Sequence, residues 1–434
     1  MAELKGDLYE EQRAAVEGLS RALLLGVYTA AQEKEQAKEH LNELEDLSNT
    51  YGFEVVKKLP VHLRQISSKT VFGSGKIEEI REMIEELKID LVILDDEVSP
   101  NQQRNLEKEF KKPILDRTEL ILEIFSKHAK TKEAKLQIEL ASSRYQLPRL
   151  KRLWTHLSRE TSKGGSSFSR GMGEKQIEVD RRLIKSRIAF LQKEIEKVRV
   201  IRKTQRRQRQ RTKIPTFGII GYTNAGKSTL LHALTEADVL REDKLFATLD
   251  TTTRKFHLPS GQPILLIDTV GFIRKIPHHL VAAFKSTLEE VLYTDILLHV
   301  IDTSHPAAVE QALESLKVLK ELGGEKKPMV TLLNKTDKLT SSAFLHRLKL
   351  RFVKTVPISA LSKEGFEELL ERMEHEIRAL RSSVRLRVPQ SKFELIARVQ
   401  REGRVDKIDY EENDVLLEAD IPKVLEREMK EYVL

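Results

Sequence analysis

The chain has no cysteine among its 434 residues. Disulfides, zinc–thiolate centres and thiol nucleophiles are therefore excluded together. No stretch approaches the roughly 20 apolar residues needed to span a bilayer. The first residues, Met1-Ala2-Glu3-Leu4-Lys5-Gly6-Asp7-Leu8, mix both charges and lack the apolar core of a secretory signal. These absences lead us to expect a soluble, cytoplasmic chain, although they do not argue against association at a membrane surface. One further absence is local. Between Ile201 and Lys213 there is no acidic residue, while Arg202, Lys203, Arg206, Arg207, Arg209, Arg211 and Lys213 are all basic.

What is present is an ordinary apolar fraction of 40% and a net charge of +8. The length is too great for one core and predicts roughly two to four domains. The most informative stretch is Gly221-Tyr222-Thr223-Asn224-Ala225-Gly226-Lys227-Ser228, followed by Thr229. It lies between a predicted strand, Thr216 to Ile220, and a predicted helix from Ser228 to Thr235, the context a phosphate loop requires. Gly221 and Gly226 let successive N–H groups turn toward phosphate oxygens. Lys227 supplies a cation for the β- and γ-phosphates, and Ser228 a hydroxyl for Mg²⁺.

Further motifs follow in order, each at the carboxyl end of a predicted strand, where open α/β sheets bind ligands. Ile264 to Ile267 leads into Asp268-Thr269-Val270-Gly271, a D-x-x-G in which Asp268 would serve Mg²⁺ and the Gly271 N–H the γ-phosphate. Met329 to Leu333 delivers Asn334-Lys335-Thr336-Asp337. The Asp337 carboxylate can accept from guanine N1–H and the exocyclic amine, a pattern adenine does not offer. A strand at Val353 to Ile358 leads to Ser359-Ala360-Leu361, the last guanine-side element. The implied ligand is GTP or GDP. Between the first two motifs, Leu245-Phe246-Ala247-Thr248-Leu249-Asp250 offers Thr248 for the first switch, with Thr251, Thr252 and Thr253 as chemical competitors.

Two positions bear on mechanism. The residue after D-x-x-G, often a water-orienting glutamine, is Phe272, whose ring neither donates nor accepts a hydrogen bond. Slow intrinsic turnover follows. Asn224 in the loop has two readings, a ligand for a stimulating K⁺ ion or a brace for the loop itself.

The expected fold class is multidomain α/β. Strand and helix alternate over 1–114: strands at Ala22–Tyr28, Phe53–Leu59 and Asp90–Leu94, and helices at Glu35–Leu47, Gly75–Leu87 and Ser99–Phe110. That pattern predicts a parallel sheet. Gly73-Ser74-Gly75-Lys76 lacks the spacing and hydroxyl of a phosphate loop and reads as a strand-to-helix turn. Residues 115–212 read as a long antiparallel helical hairpin. One limb carries Ile184, Ile188, Leu191, Ile195 and Val198, which would pack on Ile121, Ile124, Phe125, Leu136 and Leu140. A flexible Gly/Ser-rich basic loop over Ser158–Gly173 would form its tip. Residues 213–381 form the nucleotide domain, with a doubly wound sheet. Residues 382–434 form a small α/β domain with strands at Leu395–Val399 and Val415–Ala419; helices are expected at Lys363–Leu380 and Pro422–Tyr432. The basic run after Ile201 and a second one, with Arg149, Lys151, Arg152, Arg159 and Lys163 around Trp154 and His156, are candidate RNA-backbone contacts.

The strings GYTNAGKSTL (221–230), LFATLD (245–250), DTVGFIRKIPHHLVAAFKSTLEEV (268–291) and LLHVID (297–302) resemble HflX-type GTPases. So do FGSGKIEEI (72–80), SPNQQRNLEK (99–108), LDRTELILEIF (115–125), LQIELASSRYQLPRL (136–150) and GEKQIEVDRRLI (173–184). The resemblance covers nearly the whole chain. It implies GTP hydrolysis with Lys227, Thr248, Asp268 and Gly271 in the catalytic set, and Mg²⁺ on Ser228 and Thr248. It also implies binding to the large ribosomal subunit and its rRNA through the N-terminal half, in ribosome splitting, rescue, recycling or biogenesis; the chain itself is expected to be a monomer. Two departures stand out: Thr251 follows Asp250 where the family has proline, and the loop at 163–172 lacks the family's glycine run. The rival readings are a tRNA-modification GTPase, against which the missing cysteine counts, and a non-catalytic nucleotide-gated RNA scaffold.

Overall fold

The computed structural model describes residues 18, 20–150, 170–212, 214–235, 252–275, 290–339, 341–411 and 413–434. It separates into two compact units. The first comprises Met1–Ile201, Leu240–Asp250 and Ile273–Leu288, the second Arg202–Val239, Thr251–Phe272 and Glu289–Leu434.

In the first unit, β1 (Arg21–Tyr28), β2 (Glu54–His62), β3 (Leu91–Leu94) and β4 (Ile114–Asp116) form a parallel sheet in the order β2-β1-β3-β4. All four residues of β3 are buried, the short continuous apolar run expected of a strand covered on both faces. Helices α1 (Lys34–Tyr51), α2 (Ser74–Glu86) and α3 (Pro100–Phe110) connect the strands. Helix α3 starts where its sequence dictates. Ser99 Oγ accepts from the Gln102 N–H at 3.3 Å, the Gln102 side chain returns to the Ser99 N–H at 3.0 Å, and Pro100 fills the first turn. Such a reciprocal cap is worth about 1 kcal/mol. Leu23, Leu25, Ile80, Ile84, Val92, Leu94, Leu106 and Phe110 share one core.

Helices α4 (Arg117–His128), α5 (Lys132–Gln146) and α6 (Arg170–Thr212) follow. Ile184, Leu191 and Ile195 of α6 are buried at the expected spacing, and Leu191 and Ile195 cluster with Leu136 and Leu140 of α5. The expected share of α4 in this seam is not seen, because Ile121, Ile124 and Phe125 lie on a helix that packs against α1. Helix α6 begins at Arg170, so Arg170–Gly173 are helical and not loop. The rest of the expected tip, with Lys151, Arg152, Trp154, His156, Arg159 and Lys163, lies outside the described residues.

Arg149 requires a correction. It is 4% exposed, donates to the Val98 carbonyl at 2.7 Å and to Asp116 Oδ2 at 3.3 Å, and stacks on Tyr145 at 3.6 Å. A guanidinium spent on those partners is a core residue, not a contact for RNA. A second buried charge cluster gathers Asp95, at the end of β3, with Arg117 (Nη1 to Oδ1, 3.1 Å), Arg274 (Nη2 to Oδ1, 2.6 Å) and Lys275 (Nζ to Oδ2, 3.2 Å). Glu43 joins it at 2.5 Å from Arg274 and 3.0 Å from Arg117. Burial works to raise the Asp95 carboxyl, but the surrounding cations outweigh it and hold the group well below the usual carboxylate range.

In the second unit, β5 (Thr216–Gly221), β6 (Thr252–His257), β7 (Pro263–Asp268), β8 (Ile296–Asp302), β9 (Met329–Asn334) and β10 (Thr355–Pro357) form a sheet in the order β10-β9-β8-β5-β7-β6. It is parallel except for β6, which runs antiparallel to β7 at one edge. Helices α7 (Lys227–Thr235), α8 (Ala308–Glu321), α9 (Ser342–Arg351) and α10 (Phe366–Ala379) follow strands of this sheet. A second, antiparallel sheet is made by β11 (Arg381–Pro389), β12 (Arg404–Tyr410) and β13 (Asp414–Pro422), in the order β11-β13-β12. Its helices are α11 (Phe393–Glu402) and α12 (Lys423–Glu428). Leu395–Val399, expected as a strand, are helical. A run this short, four apolar residues interrupted by Arg398, does not distinguish the two states by itself, and here Ile396 and Val399, three residues apart, are the positions buried. Val415–Ala419 do form a strand, with strict alternation of burial along β13. Among the described residues no helix is long and apolar enough to cross a membrane.

Candidate active site

Strand β5 ends at Gly221, and α7 begins at Lys227. The turn between them requires unusual backbone: Gly221 has φ 149°, Asn224 φ 59° and Gly226 φ 95°. Asparagine tolerates the left-handed region better than most side chains, which gives Asn224 a conformational role whatever else it does. At Gly226 a Cβ would lie 2.2 Å from Asn334 Nδ2, so only glycine lets that amide approach. The amide donates to the Ala225 carbonyl at 2.8 Å, and Asn334 Oδ1 accepts from the Ala360 N–H at 2.9 Å. One buried side chain thus ties the loop, the N-K-x-D element and the Ser359-Ala360-Leu361 element together.

Lys227 is 6% exposed, and its ammonium donates to the Tyr222 carbonyl at 2.6 Å. Burial pushes the ammonium down to about 8; the nearby Asp268 carboxylate opposes that shift and Lys335 adds to it. A cation held in this way gains when an anion arrives. Ser228 Oγ donates to Asp268 Oδ2 at 2.8 Å. The Thr269 hydroxyl is directed away, to the Ile219 carbonyl at 2.7 Å, and Val270 is buried. Gly271 lies so close that a Cβ there would be 2.8 Å from both Lys227 Nζ and Thr223 Cγ2. The D-x-x-G backbone therefore rests directly on the loop.

Phe272 has a different place from a water-orienting residue. Its ring is 1% exposed, its N–H donates to the Gly221 carbonyl at 3.0 Å, and its carbonyl accepts from the Thr223 N–H at 2.7 Å. It locks D-x-x-G to the start of the phosphate loop. On the base side, the exposed Asp337 accepts from the buried Ser359 hydroxyl at 2.6 Å, while the Thr336 N–H donates to the Ile358 carbonyl at 3.3 Å. Leu361 is 68% exposed, and Thr229 is half-buried on α7. Phe246, Ala247, Thr248, Leu249 and Asp250 lie outside the described residues, as does Thr251. Thr252 and Thr253 belong to the β6 ladder, paired with Asp268 and Ile267.

Sequence reading passed over Asp302. It ends β8 in register with Asn334, and its Oδ2 lies 2.7 Å from Lys335 Nζ. The available signal was an acidic residue at a strand's carboxyl end beside the strand that delivers N-K-x-D.

A phosphate loop clasped by the asparagine of an N-K-x-D element, on a parallel sheet, defines a P-loop GTP-binding protein. Three family models match in succession: "GTP-binding GTPase N-terminal" at residues 38–126, "GTP-binding GTPase Middle Region" at 128–209 and "50S ribosome-binding GTPase" at 216–335. The chain is 46% identical to the GTPase HflX of Chlamydia pneumoniae over 416 residues, which is 95% of this chain and 88% of that one. It is 41% identical to the GTPase HflX of Akkermansia muciniphila over 435 residues, 98% and 99% of the two chains. A solved GTP-binding protein of Sulfolobus solfataricus in complex with GDP matches at 28% identity and a TM-score of 0.43, covering 82% of this chain and 98% of that one. The chain belongs to the HflX family of GTPases, and its activity is the hydrolysis of GTP.

Proposed function

We propose that this GTPase is a GTP-gated switch acting on the large ribosomal subunit, in splitting, rescue, recycling or biogenesis of ribosomes. The observation that carries the reading is the end of α6: a single helix of 43 residues whose last stretch, from Arg202 onward, is basic and free of acid. Like charges gathered on one element repel unless a polyanion neutralises them. The description of the matching model, a 50S ribosome-binding GTPase, supports the same partner.

At the nucleotide, the backbone from Gly221 to Ser228 with Thr229 receives the phosphates, Lys227 neutralises their charge, and the Gly271 N–H meets the γ-phosphate. Asn334, Lys335, Thr336 and Asp337, with Ser359, Ala360 and Leu361, form the guanine side. The residues present fit Mg²⁺. Ser228 Oγ and Asp268 Oδ2 are hard oxygen donors 2.8 Å apart. That donor pair suits an ion that takes one or two protein oxygens and completes its shell from phosphate and water. Ser228 and Thr248 would hold it, and when bound it neutralises charge on the phosphate oxygens. Asn224 is the residue from which K⁺ stimulation would act. With Phe272 buried and fixed by its backbone, no side chain at that position orients water, so free turnover is slow and the subunit accelerates it. The segments 1–114, 115–212, 213–381 and 382–434 are the units in which we expect these roles to be divided, with the chain acting as a monomer in the cytoplasm.

Sucrose-gradient co-sedimentation with ribosomal subunits, in GDP and in a non-hydrolysable GTP analogue, tests the reading. Binding to the large subunit should be stronger with the analogue, and purified subunits should raise GTP turnover. Equal sedimentation in both states, with no stimulation, would reject a GTP-gated ribosomal role.

A further inference from the structure

Lys335 is the motif residue that carries the longest side chain outside a strand or helix. Its backbone stands in the left-handed region, φ 65° and ψ 36°, just past the end of β9. A free lysine there would sample many rotamers, and ordering it on ligand binding would be entropically costly. The ammonium is already fixed. Lys335 Nζ lies 2.7 Å from Asp302 Oδ2, with the two side chains only 20% and 12% exposed. The other oxygen of Asp302 accepts from the Ser304 N–H at 2.9 Å and from the Ser304 hydroxyl at 2.6 Å. With both oxygens engaged, the carboxylate cannot turn without losing a bond. The strand register adds rigidity, because Asp302 pairs with Asn334, the buried clasp that immediately precedes Lys335.

We propose that Asp302 is a positioning residue for nucleotide recognition: it holds Lys335 pre-ordered, so that the lysine enters the GTP or GDP complex without first being immobilised. The proposal rests on the reading of N-K-x-D as the guanine-side element.

The effect separates from base reading, because ordering a lysine stem does not depend on which groups the purine edge carries. Asp302→Ala should raise the Kd for GDP and for a non-hydrolysable GTP analogue by about tenfold, close to 1.4 kcal/mol. The loss should be the same for guanine, inosine and xanthosine nucleotides and should fall on KM more than on kcat. Asp302→Asn has a single acceptor oxygen: turned to Ser304 it sets an amide donor against the Lys335 ammonium, so it should keep the Ser304 bonds yet lose most of the affinity that Asp302→Ala loses. In a Lys335→Met background, Asp302→Ala should cost little more, since the two residues act as one unit.

Calorimetric titration of the full-length chain with each nucleotide reads these values, alongside thermal unfolding without nucleotide. If Asp302 merely terminates β8, both Asp302 variants lower the unfolding midpoint while Kd stays within twofold of wild type, and the proposal is overturned. Additive losses in the Lys335→Met background overturn it equally. Should Asp302→Ala not fold, Asp302→Asn and the Lys335→Met cycle built on it carry the same two tests. Asp337→Asn, run in parallel, separates the layers. If it leaves guanine affinity unchanged, the reading of N-K-x-D falls. If it weakens guanine binding while the Asp302 variants do not, only the positioning role falls.

Discussion

Asn334→Ala is the substitution whose cost the structure defines most directly. The side chain is 1% exposed and makes two bonds of opposite sense, to the Ala225 carbonyl at 2.8 Å and from the Ala360 N–H at 2.9 Å. Alanine removes both and leaves a carbonyl and an N–H facing a void beside residues that are 1% and 4% exposed. An orphaned buried polar group costs about 1–3 kcal/mol, so two put the loss at roughly 2–4 kcal/mol once part is relieved by water. The damage is also geometric. Gly226 exists at its φ of 95° to admit this amide, and without it the turn over 222–226 loses its tie to the base side. Calorimetric titration with GDP should show Kd raised at least tenfold, about 1.4 kcal/mol of the total. The nucleotide-free unfolding midpoint should fall as well. Asn334→Asp is the sharper control. It keeps the acceptor for Ala360 but sets a carboxylate against the Ala225 carbonyl, and should bind GDP no better than the alanine variant. A Kd within twofold of wild type for Asn334→Ala would refute the clasp, and with it the argument that one residue joins three motifs.

Asp337→Asn should weaken GTP binding by at least about 2 kcal/mol, because its amide presents a donor where guanine also donates, and should improve binding of a xanthosine nucleotide; a titration series over the two bases checks both. Arg274→Ala leaves Asp95 and Glu43 with fewer cations in a buried cluster. Breaking buried pairs costs about 3–5 kcal/mol, so chemical denaturation should show a marked loss, and an unchanged midpoint would mean that Arg117 and Lys275 suffice. His299 on β8 is fully buried, and burial lowers its imidazole from 6.5 to about 4. Between those values the unfolded chain binds the extra proton, so stability falls as pH drops from 6.5 toward 4. By linkage the loss is about 2 kcal/mol between pH 7 and pH 5, and a His299→Gln variant should lack that part of the pH slope. Replacing Arg202, Arg206, Arg207 and Arg209 with serine should lower large-subunit affinity and flatten its salt dependence; sedimentation across a salt titration that finds no change would place docking elsewhere.

The nucleotide loop, D-x-x-G, N-K-x-D and Ser-Ala-Leu were legible in the chain because each is a local device. Backbone torsion, a strand end and a short spacing suffice to specify it, and glycine at 226 or 271 stands where any Cβ would collide. The start of α3 was equally legible, since Ser99, Pro100 and Gln102 satisfy its first turn among themselves. The seam of α6 could be read from its period, and so could its partners Leu136 and Leu140, although not that Ile121, Ile124 and Phe125 would pack elsewhere.

Four other features depended on distant residues, and local pattern was silent or misleading. Arg149 looked like part of a basic surface until Val98, Asp116 and Tyr145 enclosed it. Leu395–Val399 carried no decisive period, and packing chose the helix. Phe272 read as a mute side chain, whereas its backbone bonds to Gly221 and Thr223 give it a task. Asp302 acquired meaning only when β8 and β9 aligned it with Asn334 and brought Lys335 within 2.7 Å. Sequence by itself determined the elements and motifs whose energetics close within a few residues. Tertiary structure alone decided the partners of buried charges, because desolvating an ionised group is tolerable only where remote chain supplies its counter-charge, and no short window of sequence contains that information.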